Sequence, residues 1–366
     1  MDDDRPKGPL RYGWTTGACA AAAAKAAYQA LLTGVFPDPV SITLPKGQQP
    51  AFALARHSSE GESATAGIIK DAGDDPDVTH GALILSTVRR GAPGSGVTFA
   101  AGEGVGTVTR EGLPLPVGEP AINPAPRAMI RQAIDEVTAA CGGSGDVLVT
   151  VSIPGGEALA RKTLNGRLGI VGGLSVLGTT GIVVPFSCAA WIHSIHRGVD
   201  VARAAGIRHV AGSTGSTSEA AVAALHGLEE VALLDMGDFV GGMLKYIRKN
   251  PLPRVTVAGG FAKMTKLGQG LLDLHSRSGS VDLAWLAGLA ADAGADMATQ
   301  ARIGQAASAQ EALLIAAQSG LDLAAPVAAA AQRTATVLMA GSGVGIDIAV
   351  FDREGRLLAE TATIIA

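Results

Sequence analysis

With 366 residues the chain is long enough for two or three domains. Apolar residues make up 47%, charged residues 17% and aromatic residues 4%, too apolar for a disordered chain, and the 49 glycines show no every-third-residue repeat, which excludes collagen. The 29 Lys plus Arg against 33 Asp plus Glu leave a net charge of −4 with no basic stripe, so nucleic acid is not an expected partner.

The first residues are acidic and contain proline, which is not the pattern of a signal peptide. Thr15-Thr16-Gly17 then opens an Ala-rich run, 18–32, closed by Thr33-Gly34. A Thr cap, strong helix formers and a terminal Gly predict a helix. It carries Lys25 and Gln29 and is too short for a membrane span, so a cytoplasmic protein without membrane segments is expected. Residues 40–44, 51–55, 63–69 and 82–88 read as short strands between Gly, Pro and Asp. Residues 97–100 and 105–109 flank Gly102-Glu103-Gly104, which resembles a nucleotide loop. No helix pattern follows it, so a β-hairpin is expected there instead. A helix over 128–140 and a strand over 147–153 come next.

A Gly-rich stretch, 166–181, leads to a helix near 187–205. Strand and helix patterns then alternate: 209–211 before Gly212-Ser213-Thr214-Gly215, 231–234 before Gly237-Asp238, and 255–258 before Gly259-Gly260. Such alternation predicts a parallel sheet. Residues 281–339 read as helical, and 346–350 with 357–359 as a hairpin. The expected fold is therefore an α+β domain over 1–155 followed by an α/β domain with a mainly parallel sheet over 156–340. The hairpin within 341–366 could return to the first domain.

Several chemistries are excluded. There is no Gly-Lys dipeptide for a Walker A loop, and no GxGxxG, HExxH, EF-hand loop or GxSxG elbow. Cys19, Cys141 and Cys188 form no CxxC pair and have no activating neighbour, so neither a zinc ribbon nor a Cys nucleophile is expected. His193 and His196 share a helix face but lack a third ligand, and no protein metal site is expected.

Four constellations could carry function. Thr15 and Thr16 at a helix N-terminus offer amides and hydroxyls to a ligand, or simply cap the helix. Asp71, Asp74, Asp75 and Asp77 could supply a general base or bind hydroxyls or an amine; a solvated turn is the plain alternative. Gly172, Gly173, Ser175, Thr179 and Thr180 allow a ligand close to the backbone, or form a linker. Ser213, Lys263 and Lys266 fall at strand-to-helix turns, where parallel sheets bind ligands and lysines suit carboxylates. Arg167 and His275, the latter following Asp273, are further candidates.

These residues also carry a resemblance. Leu10-Arg11-Tyr12-Gly13-Trp14-Thr15-Thr16-Gly17-Ala18-Cys19, Asp71-Ala72-Gly73-Asp74-Asp75-Pro76-Asp77-Val78-Thr79 and Gly104-Val105-Gly106-Thr107-Val108-Thr109 occur in the order seen in the CbiD family. Ala121-Ile122-Asn123-Pro124, Arg167-Leu168-Gly169-Ile170, Gly172-Gly173-Leu174-Ser175, Leu177-Gly178-Thr179-Thr180-Gly181 and Leu274-His275-Ser276 continue it. The resemblance implies a cobalt-precorrin-5B (C1)-methyltransferase of anaerobic cobalamin synthesis, with S-adenosylmethionine as donor and a cobalt tetrapyrrole as acceptor. The resemblance itself assigns no site residues; from the constellations above, Asp71, Asp74 and Asp75 are the expected catalytic carboxylates. Thr15, Thr16, Gly172, Gly173, Ser175, Thr179 and Thr180 are expected at the donor. Arg167, Ser213, Lys263, Lys266 and His275 are expected at the acceptor's carboxylates. The cobalt would belong to the substrate. A non-catalytic tetrapyrrole carrier is the alternative, and a binding protein for a phosphorylated metabolite a third.

Overall fold

Thr15 starts the first long helix as expected: its Oγ1 accepts the amide of Ala18 at 3.2 Å, and Gly34 ends the helix in the left-handed region at φ +78°. The computed structural model describes residues 8–366; residues 1–7, most of the acidic start, lie outside them. The helix Thr16–Thr33 is buried on nearly every side. Its alanines let it lie close between a sheet and a second helix, Pro124–Cys141, which turns Met129, Ile130, Ile134 and Val137 inward.

That sheet has five strands in the order Arg56–Glu60, Ser63–Ile69, Leu83–Arg90, Val147–Ser152, Val97–Ala101. The period-two pattern places Ala64, Ala66, Ile84, Val88, Val147, Val149 and Val151 in the core. Ser86 is buried among them because its hydroxyl donates to the Ala20 carbonyl at 2.9 Å. The exposed edge strand Arg56–Glu60 carries no apolar alternation, so no sequence pattern announces it. The expected hairpin is corrected: Val97–Ala101 pairs in parallel with Val147–Ser152, and Thr107–Val108 pairs with Ile170–Val171. The bend between them is set by Gly104 at φ +71°.

The chain divides into two compact units between Cys188 and Ala189, later than the boundary at 155 expected from texture. The cause is strand pairing. Ile170–Val171 and Ile182–Val183 pair with Thr107–Val108 and Gly13–Trp14, so the Gly-rich stretch belongs to the first unit.

The second unit holds a six-stranded sheet. Leu233–Asp235, His209–Ser213, Arg254–Gly260 and Gly345–Phe351 run parallel, and Leu357–Glu360 and Ile364–Ile365 return antiparallel along Gly345–Phe351. Gly345–Phe351 is buried at every position, as a central strand covered on both faces should be. The terminal hairpin is therefore part of this sheet and does not return to the first unit. Residues 283–339 form four helices, Leu283–Asp292, Met297–Gly304, Ala309–Gln318 and Ala324–Met339.

Candidate active site

In the first unit the strap 11–14 lies across the turn 71–75. The Trp14 amide donates to the Asp71 carbonyl at 2.7 Å, and the Asp74 amide to the Arg11 carbonyl at 3.0 Å. The Arg11 amide donates to Asp74 Oδ2 at 2.7 Å, and its guanidinium pairs with Asp71. Asp71 also accepts the Gly73 amide at 2.9 Å. The hydrogen bond from Arg11, then the Gly73 amide, hold its carboxyl below the usual range. Asp71 and Asp74 thus fasten the strap to the turn.

Asp77 has a different anchor, Lys70, which is 2% exposed. The Lys70 ammonium donates to Asp77 and, at 2.5 Å, to Thr79 Oγ1. The Thr79 amide and hydroxyl donate to Asp77 Oδ1 at 2.7 and 2.6 Å. Burial alone would raise the Asp77 carboxyl; the Lys70 charge and these hydrogen bonds outweigh it and hold the carboxyl low. Sequence reasoning did not single out Lys70, because nothing local marks a lysine at a strand end as buried.

Asp75 is the carboxylate of this loop whose pKa is raised. Burial is the main cause, opposed by the Phe186 amide, which donates to Asp75 Oδ1 at 2.8 Å. Phe186 is the non-glycine residue at positive φ (56°) among the described residues. A left-handed phenylalanine costs about 1–3 kcal/mol, the kind of strain that clusters at functional sites. A half-buried carboxylate with a raised pKa, held by a strained backbone amide, has the attributes of a general base.

The expected donor residues fare unevenly. Thr15 and Thr16 are buried, and the segment 177–181 crosses above them. Leu177 and Gly181 carbonyls accept the Gly17 and Thr15 amides at 3.1 and 3.0 Å. A Cβ on Gly178 would stand 2.3 Å from Thr15. The helix N-terminus is therefore occupied by protein, and Thr15 acts as a cap. Gly173 is likewise set by packing, since a Cβ there would lie 2.3 Å from the Gly104 backbone. Ser175 Oγ donates to Asn165 Oδ1 at 3.4 Å, and Thr180 Oγ1 accepts the Ile182 amide at 3.2 Å. Gly172 and Thr179 are exposed, and Arg167 is half-buried. Beside the strap lies a cleft of about 300 Å³ lined by Trp14, Phe52, Leu54, Ile68, Ile69 and Asp71. The Trp14 and Phe52 rings meet edge to face at 5.5 Å.

In the second unit the strand-to-helix turns do share the carboxyl edge of the parallel sheet. Their side chains are committed differently from expectation. Ser213 is 1% exposed, and its hydroxyl is buried without a hydrogen-bond partner among the described residues, so it does not face an outside ligand. Lys263 pairs with Asp238, and both Lys263 and Lys266 donate to the Leu274 carbonyl at 3.1 Å. Burial, then the neighbouring Lys263 charge, lowers the Lys266 pKa. The first anionic partner of these lysines is thus Asp238, and together they tether the segment after Gly270. His275 Nδ1 accepts the Arg277 amide at 3.1 Å, and its own amide donates to Asp273 at 3.0 Å.

Two negative expectations meet local geometry. Cys19 is buried and its thiol is pushed up to about 12 by burial, which makes it a poor nucleophile. His196 stacks on Tyr246 at 3.8 Å with its ring 6.0 Å from that of His193, a packing role. No helix among the described residues is long and apolar enough to cross a membrane.

A model of the CbiD family matches residues 3–185, and a model of the CbiD C-terminal domain matches residues 273–362. The chain is 64% identical to the cobalt-precorrin-5B C(1)-methyltransferase of Bradyrhizobium sp. (strain BTAi1), over 96% of this chain and 93% of that one. It is 60% identical to the protein of the same name from Agrobacterium fabrum, over 97% of this chain and 93% of that one. A 1.9 Å crystal structure of the cobalamin biosynthesis protein (cbiD) from Archaeoglobus fulgidus is similar at 26% identity, covering 74% of this chain and 84% of that one with a TM-score of 0.41. Matched at both ends by the family models and near full length by these relatives, the chain belongs to the CbiD family.

Proposed function

We propose that this protein methylates C1 of cobalt-precorrin-5B to give cobalt-precorrin-6A, with S-adenosylmethionine as donor, in the cytoplasm. The observation that carries the activity is the near full-length identity to relatives bearing that name. What supports a donor site in the first unit is the cleft beside the strap. Its 300 Å³ is at the lower end of small-molecule sites and far below the bulk of a tetrapyrrole. Its aromatic walls, Trp14 and Phe52, suit a nucleobase, and Asp71 at its lining suits ribose hydroxyls or an amine. Gly172 and Thr179 stay with the donor as exposed members of the same unit.

When bound, S-adenosylmethionine supplies an electrophilic methyl together with its leaving group, so the protein needs no nucleophile of its own. The protein's tasks are alignment and proton removal. Positioning alone can supply about 7–11 kcal/mol of a barrier. Alkylating an enamine carbon leaves one proton to be lost, and Asp75 Oδ2 is assigned to take it, with Oδ1 anchored by Phe186. Asp71 and Asp74 position the loop. The cobalt stays with the substrate throughout.

The purified chain is expected to transfer one methyl to cobalt-precorrin-5B, read by mass spectrometry, and to bind S-adenosylhomocysteine saturably by calorimetry. Acceptor binding without methyl gain would make it a carrier.

At the carboxyl edge of the second unit's sheet, Lys263 is 34% exposed and can exchange Asp238 for a substrate carboxylate. Lys263→Met is expected to raise the acceptor's KM about 10-fold, the low end for a charge-assisted hydrogen bond. Affinity for S-adenosylhomocysteine should not change. A lowered melting temperature with an unchanged KM leaves Lys263 as a tether of the Leu274 segment only.

A further inference from the structure

Methyl transfer makes no use of a polar cluster buried in the second unit. His209 begins the strand His209–Ser213, His226 ends the helix Ser216–His226, and Asp347 lies in Gly345–Phe351. One ligand atom from each lies within 4.8 Å of the others. They meet on the sheet face where Ala211, Ala258 and Ala349 pack. His209 and Arg254 are the first residues of their strands, so the cluster sits at the amino ends of the parallel strands. The strand-to-helix turns are at the other end.

The cluster is built and incomplete. Asp347 is 0% exposed. Its Oδ1 accepts from Arg254 Nε at 2.7 Å and Thr363 Oγ1 at 3.2 Å, and its Oδ2 from Thr256 Oγ1 at 2.5 Å. His209 Nε2 shares a 2.7 Å hydrogen bond with the same Thr256 hydroxyl. His226, 11% exposed, points Nε2 to within 3.9 Å of Asp347 Oδ2 and 3.6 Å of Glu360 Oε1. Both separations are too long for a hydrogen bond, and this buried nitrogen has no hydrogen-bond partner among the described residues. Leaving such a group unsatisfied is costly, and something ordinarily completes it.

A metal ion accounts for those spacings better than a direct contact does. Around a tetrahedral zinc with bonds of 2.0–2.1 Å, neighbouring ligand atoms stand about 3.3 Å apart. The 3.9 and 3.6 Å separations from His226 Nε2 to Asp347 and Glu360 need only a small contraction, and His209 lies within 4.8 Å of His226 and Asp347. The charges agree as well. Asp347 and Glu360 outweigh Arg254 by one negative charge, the sign that attracts a cation. Arg254 and Thr363 hold Asp347 Oδ1 and Thr256 holds Oδ2, so the carboxylate is fixed in place.

We propose that His209, His226 and Asp347, with Glu360 as fourth ligand, form a structural site for one divalent transition-metal ion. Two imidazoles and two carboxylates in a tetrahedral, closed arrangement favour zinc. The ion would tie three sheet strands, among them the terminal hairpin's Leu357–Glu360, and one helix to a single point. It takes no part in methyl transfer, and the substrate's cobalt is a separate matter.

The test uses the full-length chain, stripped with a chelator and titrated with Zn²⁺. One equivalent should remain after desalting, and the melting temperature should rise by about 5 °C at a hundredfold excess over Kd. Co²⁺ in place of Zn²⁺ should give the visible absorption of a tetrahedral centre. His226→Ala and, separately, His209→Ala should abolish both the retained equivalent and the thermal shift, while His193→Ala keeps both. His226 makes no hydrogen bond through Nε2, so its variant should fold. Retention of less than a tenth of an equivalent by the unmodified chain overturns the proposal. So does equal retention by the His226 and His209 variants, which would mark an adventitious ion.

Discussion

Asp75→Asn is expected to lower kcat by about 10²–10⁴-fold, the range for losing a general base, with little change in KM or in melting temperature. Asn keeps an oxygen for the Phe186 amide, now 2.8 Å from Asp75 Oδ1, so the local fold should survive. What is lost is the ability to take a proton. The pH profile of the unmodified enzyme supplies a second readout. Burial raises the Asp75 pKa above that of an ordinary aspartate, and a base works only when deprotonated. Activity should therefore be full above that raised pKa and fall about tenfold per pH unit below it. Stability carries the opposite sign. A carboxyl whose pKa is raised by folding favours the native state only while protonated, and that contribution is gone once pH exceeds the folded pKa. At neutral pH the Asn variant should thus be as stable as the parent or slightly more so. A gain in stability with a loss of turnover marks a strained functional group. Unchanged turnover would remove Asp75 from the chemistry.

The parts of the fold that were legible in the sequence are those whose causes are local. The Thr15 cap, the alanine run and Gly34 lie within one helix, and each does what its chemistry dictates. The Val and Ala strands that end in Gly turns likewise announce the parallel sheet of the second unit. Pairings set by distant partners were not legible. Val97–Ala101 takes the edge beside Val147–Ser152 and forms no hairpin with the residues after Gly104. The same limit governs the site. A glycine that admits a ligand and one that admits another backbone look alike in sequence; Gly173 against Gly104 is the second kind, and Gly172 remains open. A lysine at a strand-to-helix turn calls for an anionic partner, and for Lys263 Asp238, 25 positions away, provides one inside the protein. His209, His226 and Asp347 show no motif because strand order and the packing of one helix end bring them together.

Gly13→Ala should be the most damaging small substitution near the acidic loop. A Cβ at Gly13 would stand 2.0 Å from the Ala72 carbonyl carbon, and 2.4 Å from both the Ala72 oxygen and the Gly73 nitrogen. The fit is reciprocal, since a Cβ on Gly73, at φ +68°, would lie 2.1 Å from the Arg11 carbonyl oxygen. Every obstructing atom is backbone, so no side chain can swing away. The turn cannot retreat cheaply either. Its 2.7 Å bond from the Trp14 amide to Asp71 and its 3.0 Å bond from the Asp74 amide to Arg11 would have to break. Ordinary contact begins near 3.4 Å, so strap and turn must part by more than an ångström, carrying Asp75 with them. A displacement of about 1 Å at a catalytic group costs on the order of 100-fold in rate. Overpacking should cost a further ~1–3 kcal/mol of stability. Gly34→Ala separates the two effects. Gly34 also adopts a positive φ, +78°, but a Cβ there meets nothing within 4 Å. That variant should lose about 1 kcal/mol to backbone strain and keep its kcat. If Gly13→Ala lowers the melting temperature as Gly34→Ala does while its kcat stays at the parental value, the turn 71–75 does not position the reacting groups, and the base must be sought elsewhere in the protein.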